Sequence, residues 1–200
     1  MNTPNKLTLL RIILIPAFVI FLLMPEDIPL SYLWAGLIFG AASLTDYFDG
    51  KIARARNLIT DFGKLMDPVA DKLLVAAAFI CFIANGLASP WTLIIILARE
   101  FLVTSVRMVS ASRGVVIPAN NWGKAKTVSQ IVAIILVMVL QLTEQLIYAG
   151  ILPDFIGVGC TGIPEFVVIG HIGVWISAIL TLISGAVYIW QSRELFKDIK

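Results

Sequence analysis

The chain has 200 residues, of which 59% are hydrophobic and only 14% charged, with a formal net charge of +2. Its mean hydropathy is +0.93. That balance excludes an ordinary soluble domain and a nucleic-acid-binding module, and it indicates a polytopic membrane protein.

Six apolar stretches of about 20 residues, long enough to cross a bilayer core, fall at 7–24, 31–54, 64–85, 90–113, 124–148 and 166–190. They predict an all-α bundle of six transmembrane helices, forming one domain over residues 1–200. The first stretch lacks a small-residue cleavage site, so it is expected to be a retained helix rather than a signal peptide. Asn5, Thr8 and Arg11 at its start either cap it or border a ligand site. The second and third stretches hold SLTDYFDGKIAR and GKLMDPVADKLL. Pro68 removes one backbone hydrogen bond in the third: either it kinks the helix between Asp67 and Asp71 or it sits near the helix start. In the fourth, Arg99 lies deep and needs a carboxylate or a substrate phosphate. Its neighbour Glu100, one residue away on a helix, is expected to point elsewhere. Residues 149–165 are rich in Gly and Pro and read as a connector on the far side of the membrane. His171 reads as a helix-end or packing histidine. Cys81 and Cys160 are too few for a disulfide framework or a metal site.

Basic residues cluster at the N-terminus, between the second and third stretches, between the fourth and fifth, and at the C-terminus. Glu26, Asp27, Glu144, Asp154 and Glu165 occupy the opposite flanks. The positive-inside rule then puts both termini in the cytoplasm.

The aspartates carry the chemistry. On a helix over 31–55, Asp46, Asp49, Gly50 and Ala53 fall at i, i+3, i+4 and i+7, which is one stripe. Gly63, Asp67 and Asp71 step by four along the next helix. The turn around Ala55 to Asp61 is short enough to make these helices antiparallel neighbours. A carboxylate at membrane depth is costly unless it is paired, bound to metal or wet. Four facing one another call for a cation. An all-oxygen set without His or Cys prefers Mg2+, Mn2+ or Ca2+ over Zn2+ or Cu2+. Gly50, Ala53 and Gly63 leave room beside the metal for something bulky.

The full pattern, D-x-x-D-G-x-x-A-R-x8-G-x-x-x-D-x-x-x-D from Asp46 through Asp71, resembles the signature of the CDP-alcohol phosphotransferase family, with every signature position filled. The resemblance implies a six-helix integral membrane enzyme, usually a homodimer. Such an enzyme moves a phosphoryl-linked group from a CDP-linked donor to an alcohol and releases CMP. It implies Asp46, Asp49 and Asp67 as the main metal ligands, with Asp71 both at the metal and as the base that takes the acceptor's proton. It implies two Mg2+ or Mn2+ ions. It also places Gly50, Ala53, Arg54 and Gly63, with Asp46 and Asp49, at the donor CDP-diacylglycerol.

PNKLTLLRIILIP at 4–16 and AREFLVTSVRMVSASRGVVIPANNWGKAKTVSQ at 98–130 resemble the branch of the family that uses sn-glycerol 3-phosphate and makes phosphatidylglycerophosphate. An acceptor that carries its own phosphate needs a basic pocket. Arg107, Arg113, Lys124 and Lys126 are the candidates, with Arg107 and Lys126 expected to face the cavity. The alternatives are another acceptor, such as inositol phosphate, serine or phosphatidylglycerol, and a divalent-cation channel or carrier. The channel would need polar groups continuing to the far side, and Trp34 to Ala42 and Leu73 to Ala84 are almost wholly apolar.

Overall fold

A computed structural model describes residues 3–56, 61–112, 121–153 and 164–193. Six helices appear among them, with no strand: α1 (Thr3–Leu23), α2 (Ser31–Arg56), α3 (Asp61–Ala84), α4 (Pro90–Ser112), α5 (Asn121–Tyr148) and α6 (Pro164–Gln191). They coincide with the six apolar stretches to within a few residues. α3 begins at Asp61, so Pro68 lies about two turns inside it.

The helix ends have local chemical causes. Ser89 precedes Pro90 at the start of α4, and its hydroxyl accepts from Trp91 N at 3.4 Å. α3 ends in a Schellman motif. Gly86 takes φ +73°, its N–H reaches Ile83 O at 3.1 Å, and Leu87 N reaches Phe82 O at 2.7 Å. α5 ends the same way at Gly150, with φ +69° and bonds Gly150 N to Ile147 O and Ile151 N to Leu146 O of 2.9 and 3.0 Å.

α1 packs on α2 and α3, α2 also meets α5, and α6 packs on α4 and α5. Phe18 of α1, Phe39 of α2 and Phe79 and Phe82 of α3 form the aromatic part of the core, with Phe18 and Phe39 centroids 5.8 Å apart. Gly173 lets α6 approach α5 closely, since a Cβ there would lie 2.8 Å from Leu136 Cδ2. At one end of the bundle polar side chains tie the helices together. Gln145 donates to Pro25 O at 3.1 Å and Ser31 Oγ at 3.0 Å, and Asn85 donates to Leu22 O at 2.7 Å. His171 Nε2 lies 3.0 Å from Gly86 O at that same end, which is the packing role read from the sequence.

The outer surface is apolar on every helix: Ile13, Leu37, Ile80, Ile94, Val132 and Ile176 are all more than half exposed. α5 and α6 are each long and apolar enough on their own to cross a membrane. The apolar runs of α1, α2 and α3 are shorter, Thr8–Leu23, Ser31–Thr45 and Lys72–Ala84. Arg99, Glu100 and Arg107 interrupt the run of α4.

Candidate active site

The aspartates stand where two buried stripes run toward one end of the bundle. Along α2, positions 35, 39 and 42 precede 46 on one stripe, and Ala35, Phe39 and Ala42 are buried. Along α3, positions 74 and 78 follow 67 and 71 on one stripe, and Leu74 and Ala78 are buried. The registers of Asp46 and Asp49 and of Asp67 and Asp71 thus continue the inward faces of their helices. The side chains of Asp46, Asp49, Gly50, Ala53, Arg54, Gly63, Asp67 and Asp71 lie outside the described residues, as do Arg113 and Cys160 in full. The donor set itself, four carboxylates without nitrogen or sulfur ligands, suits a hard divalent ion.

Beside these stripes lies a cavity of about 140 Å³, walled by α1 through α5. Phe39, Leu74, Val75, Ile96, Leu97 and Ile131 make its apolar wall, and Arg11, Ser43, Lys72, Glu100, Lys126, Thr127 and Gln130 its polar one. Ala42 and Ser43 lie one turn before Asp46, and Lys72 follows Asp71 directly, so the cavity adjoins the aspartate segments along the chain. Among the described lining residues three cations face one carboxylate. Arg11 is 1% exposed and Lys126 6%. Charges held this far from water need polar or oppositely charged groups around them.

Secondary contacts set the polar groups. Lys72 Nζ donates to Thr104 Oγ1 at 2.6 Å, linking α3 to α4. Gln130 Nε2 donates to Thr181 Oγ1 at 3.2 Å, linking α5 to α6. Lys126 Nζ pairs with Glu100 Oε1, and Arg99 Nη1 reaches the same oxygen at 3.2 Å. The expectation that Arg99 and Glu100 point apart is therefore corrected. Both side chains are long enough to fold back on each other, and the Glu100 oxygen serves both cations. Arg99 Nη2 also donates to Ser184 Oγ of α6 at 2.8 Å.

Of the four basic residues read as acceptor ligands, Lys126 lines the cavity. Arg107 stands apart from that wall: it is exposed, with its guanidinium carbon 6.0 Å from the Tyr188 ring centroid. Lys124 is exposed as well. Periodicity along α4 cannot tell which neighbour a side chain reaches, and α6 supplies an aromatic face for Arg107. Reasoning from the sequence missed Lys72 and Glu100 in the cavity and left Arg11 undecided. The available signal was an ionisable residue inside an apolar stretch, which marks a functional position by default.

The profile of the CDP-alcohol phosphatidyltransferase family matches residues 1–183. The chain is 38% identical over 206 residues to the Bacillus subtilis CDP-diacylglycerol–glycerol-3-phosphate 3-phosphatidyltransferase, covering 98% of this chain and 97% of that one. It is 36% identical over 195 residues to the Rickettsia bellii protein of the same name, covering 98% and 97%. To that of Pseudomonas fluorescens it is 35% identical over 144 residues, covering 69% and 72%. With its aspartate pattern at the head of two buried stripes and its matches running nearly end to end, the chain belongs to the CDP-alcohol phosphatidyltransferase family.

Proposed function

We propose that this chain transfers the phosphatidyl group of CDP-diacylglycerol to sn-glycerol 3-phosphate, giving phosphatidylglycerophosphate and CMP. The relatives named for that reaction support it. The observation that carries it is the cavity. Three cationic side chains line it among the described residues, next to the aspartate stripes. A phosphate monoester with about two negative charges at neutral pH matches such a lining; serine or an uncharged alcohol does not.

In this reading the acceptor phosphate rests against Arg11, Lys72 and Lys126, and its free hydroxyl reaches the lipid-bearing phosphorus of the donor. Asp71 takes the hydroxyl proton as the new P–O bond forms and the bond to CMP breaks. Gly50, Ala53 and Gly63 leave space for the nucleotide, and Arg54 meets its diphosphate. Asp46, Asp49, Asp67 and Asp71 would together hold two Mg2+ or Mn2+ ions, whose chemistry when bound is to neutralise the diphosphate and the leaving CMP. Arg107, Arg113 and Lys124 draw the acceptor toward the mouth.

The same reading makes all six helices membrane spans of the cell membrane. Apolar residues are exposed on each helix, while Trp34, Trp91 and Tyr148 stand exposed at one end of the bundle and Trp122 and Trp190 at the other. Aromatic residues favour both membrane interfaces. The basic flanks put both termini and the site's mouth in the cytoplasm, and the family resemblance implies a homodimer.

Purified protein in lipid vesicles, given CDP-diacylglycerol and a panel of acceptors, tests the assignment through CMP release. Glycerol 3-phosphate should outrun inositol phosphate, serine and phosphatidylglycerol. Faster turnover with an uncharged alcohol would overturn the acceptor and leave the family intact.

A further inference from the structure

Glu100 presents a paradox for a site that binds an anion. It is the one carboxylate among the described residues that line the cavity, and it would repel an incoming phosphate. Its side chain is 15% exposed, that of Lys126 7% and that of Arg99 11%. One oxygen of Glu100 receives both cations. Arg99 in turn is fastened to α6 through Ser184, and its stem crosses that helix at Gly185, where a Cβ would lie 2.9 Å from Arg99 Cγ. Glycine is thus needed at 185 for the arginine to lie where it does. The result is a line of contacts from α6 through Arg99 and Glu100 on α4 to Lys126 on α5.

We propose that Glu100 is a positioning residue for the acceptor. Its carboxylate, braced by Arg99, fixes the Lys126 ammonium at the cavity wall, so that the phosphate of glycerol 3-phosphate meets a preset cation. Two effects oppose each other. Repulsion between carboxylate and phosphate weakens binding. Loss of the carboxylate, however, removes an oxygen that both Arg99 and Lys126 reach, and lets the Lys126 ammonium turn from its place at the cavity wall. Losing the set position is the larger effect, because a displaced ammonium no longer stands where the acceptor phosphate meets it. Arg11 and Lys72 line the same cavity, so the site stays net cationic among its described lining residues even with Glu100 in place. Preset cations also cost the substrate little reorganisation on binding.

This inference rests on the glycerol 3-phosphate reading above, and the experiment separates the two. CMP release is measured in vesicles for the wild type, Glu100→Gln, Glu100→Asp, Lys126→Gln and the Glu100→Gln/Lys126→Gln double variant, varying each substrate in turn. Glu100→Gln should raise KM for glycerol 3-phosphate by about 10- to 100-fold while KM for CDP-diacylglycerol stays put. Glu100→Asp, which keeps the charge, should recover part of that loss. In the Lys126→Gln background, Glu100→Gln should add less than about twofold, because its target is already gone. The double variant also replaces both charges at once, so it reports even where the single change harms folding. An unchanged or lowered acceptor KM in Glu100→Gln overturns the proposal. So does an undiminished effect in the Lys126→Gln background, or an equal rise in both KM values. A wild type that releases no CMP with glycerol 3-phosphate sinks the parent reading instead.

Discussion

Asp46, Asp49 and Asp67 are each expected to be indispensable, since losing one carboxylate leaves the diphosphate charge poorly neutralised. Each Asn variant should turn over at least about 100-fold more slowly, the loss typical when a key electrostatic stabiliser is removed. Near-normal CMP release by all three variants in the presence of a chelator would sink the metal-centre reading. Asp71→Asn separates ligand from base. It should retain CDP-diacylglycerol binding yet lose transfer, because a base acts on the acceptor hydroxyl. Failure to bind donor, with residual chemistry intact, would make Asp71 a ligand first. The basic residues divide by position. Lys126→Ala, at the cavity wall, should raise the acceptor KM about 10- to 100-fold. Arg107→Ala, exposed beside Tyr188, should move it by no more than about threefold and mainly at low salt. The reverse order would put the acceptor phosphate on the α6 side of α4.

At the level of the elements, polar ties at the end away from the aspartates bind helices whose apolar faces alone do not choose their partners. Lipid is as apolar as leucine, so association rests on close packing and on hydrogen bonds. Gly86 closes α3 in a left-handed conformation and offers its carbonyl to His171 of α6. Gly86→Ala should therefore cost about 1 kcal/mol through backbone strain, although nothing lies within 4 Å of the added Cβ. The check is thermal unfolding in detergent: a lower midpoint with both KM values unchanged. A shift in acceptor KM would mean that this end of the bundle is coupled to the cavity.

For the whole molecule, the orientation is testable without any activity. In a background with Cys81 and Cys160 replaced by serine, a cysteine placed at Glu26 should react in intact cells with a membrane-impermeant maleimide. One placed at Lys124 should react only after the cells are opened. Both positions are exposed, so access to the two sides of the membrane decides the outcome. The opposite pattern would turn the site outward and separate it from cytoplasmic glycerol 3-phosphate.

Helix number, helix limits and the aspartate register were legible in the sequence because each is local. A run of apolar residues sets a span, and a spacing of three and four sets a stripe. The metal and base roles of the aspartates come from donor chemistry and family resemblance. Contacts between distant segments were not legible. That Arg11, Lys72 and Lys126 share one cavity depends on how α1, α3 and α5 pack, and those residues are separated by more than 50 positions in each step. That Glu100 joins Arg99 to Lys126, and that Arg107 turns to Tyr188, were settled by which helix lies beside α4. A periodic pattern tells a helix which face to bury and leaves open against what, so partners for buried charge are chosen only when the bundle closes.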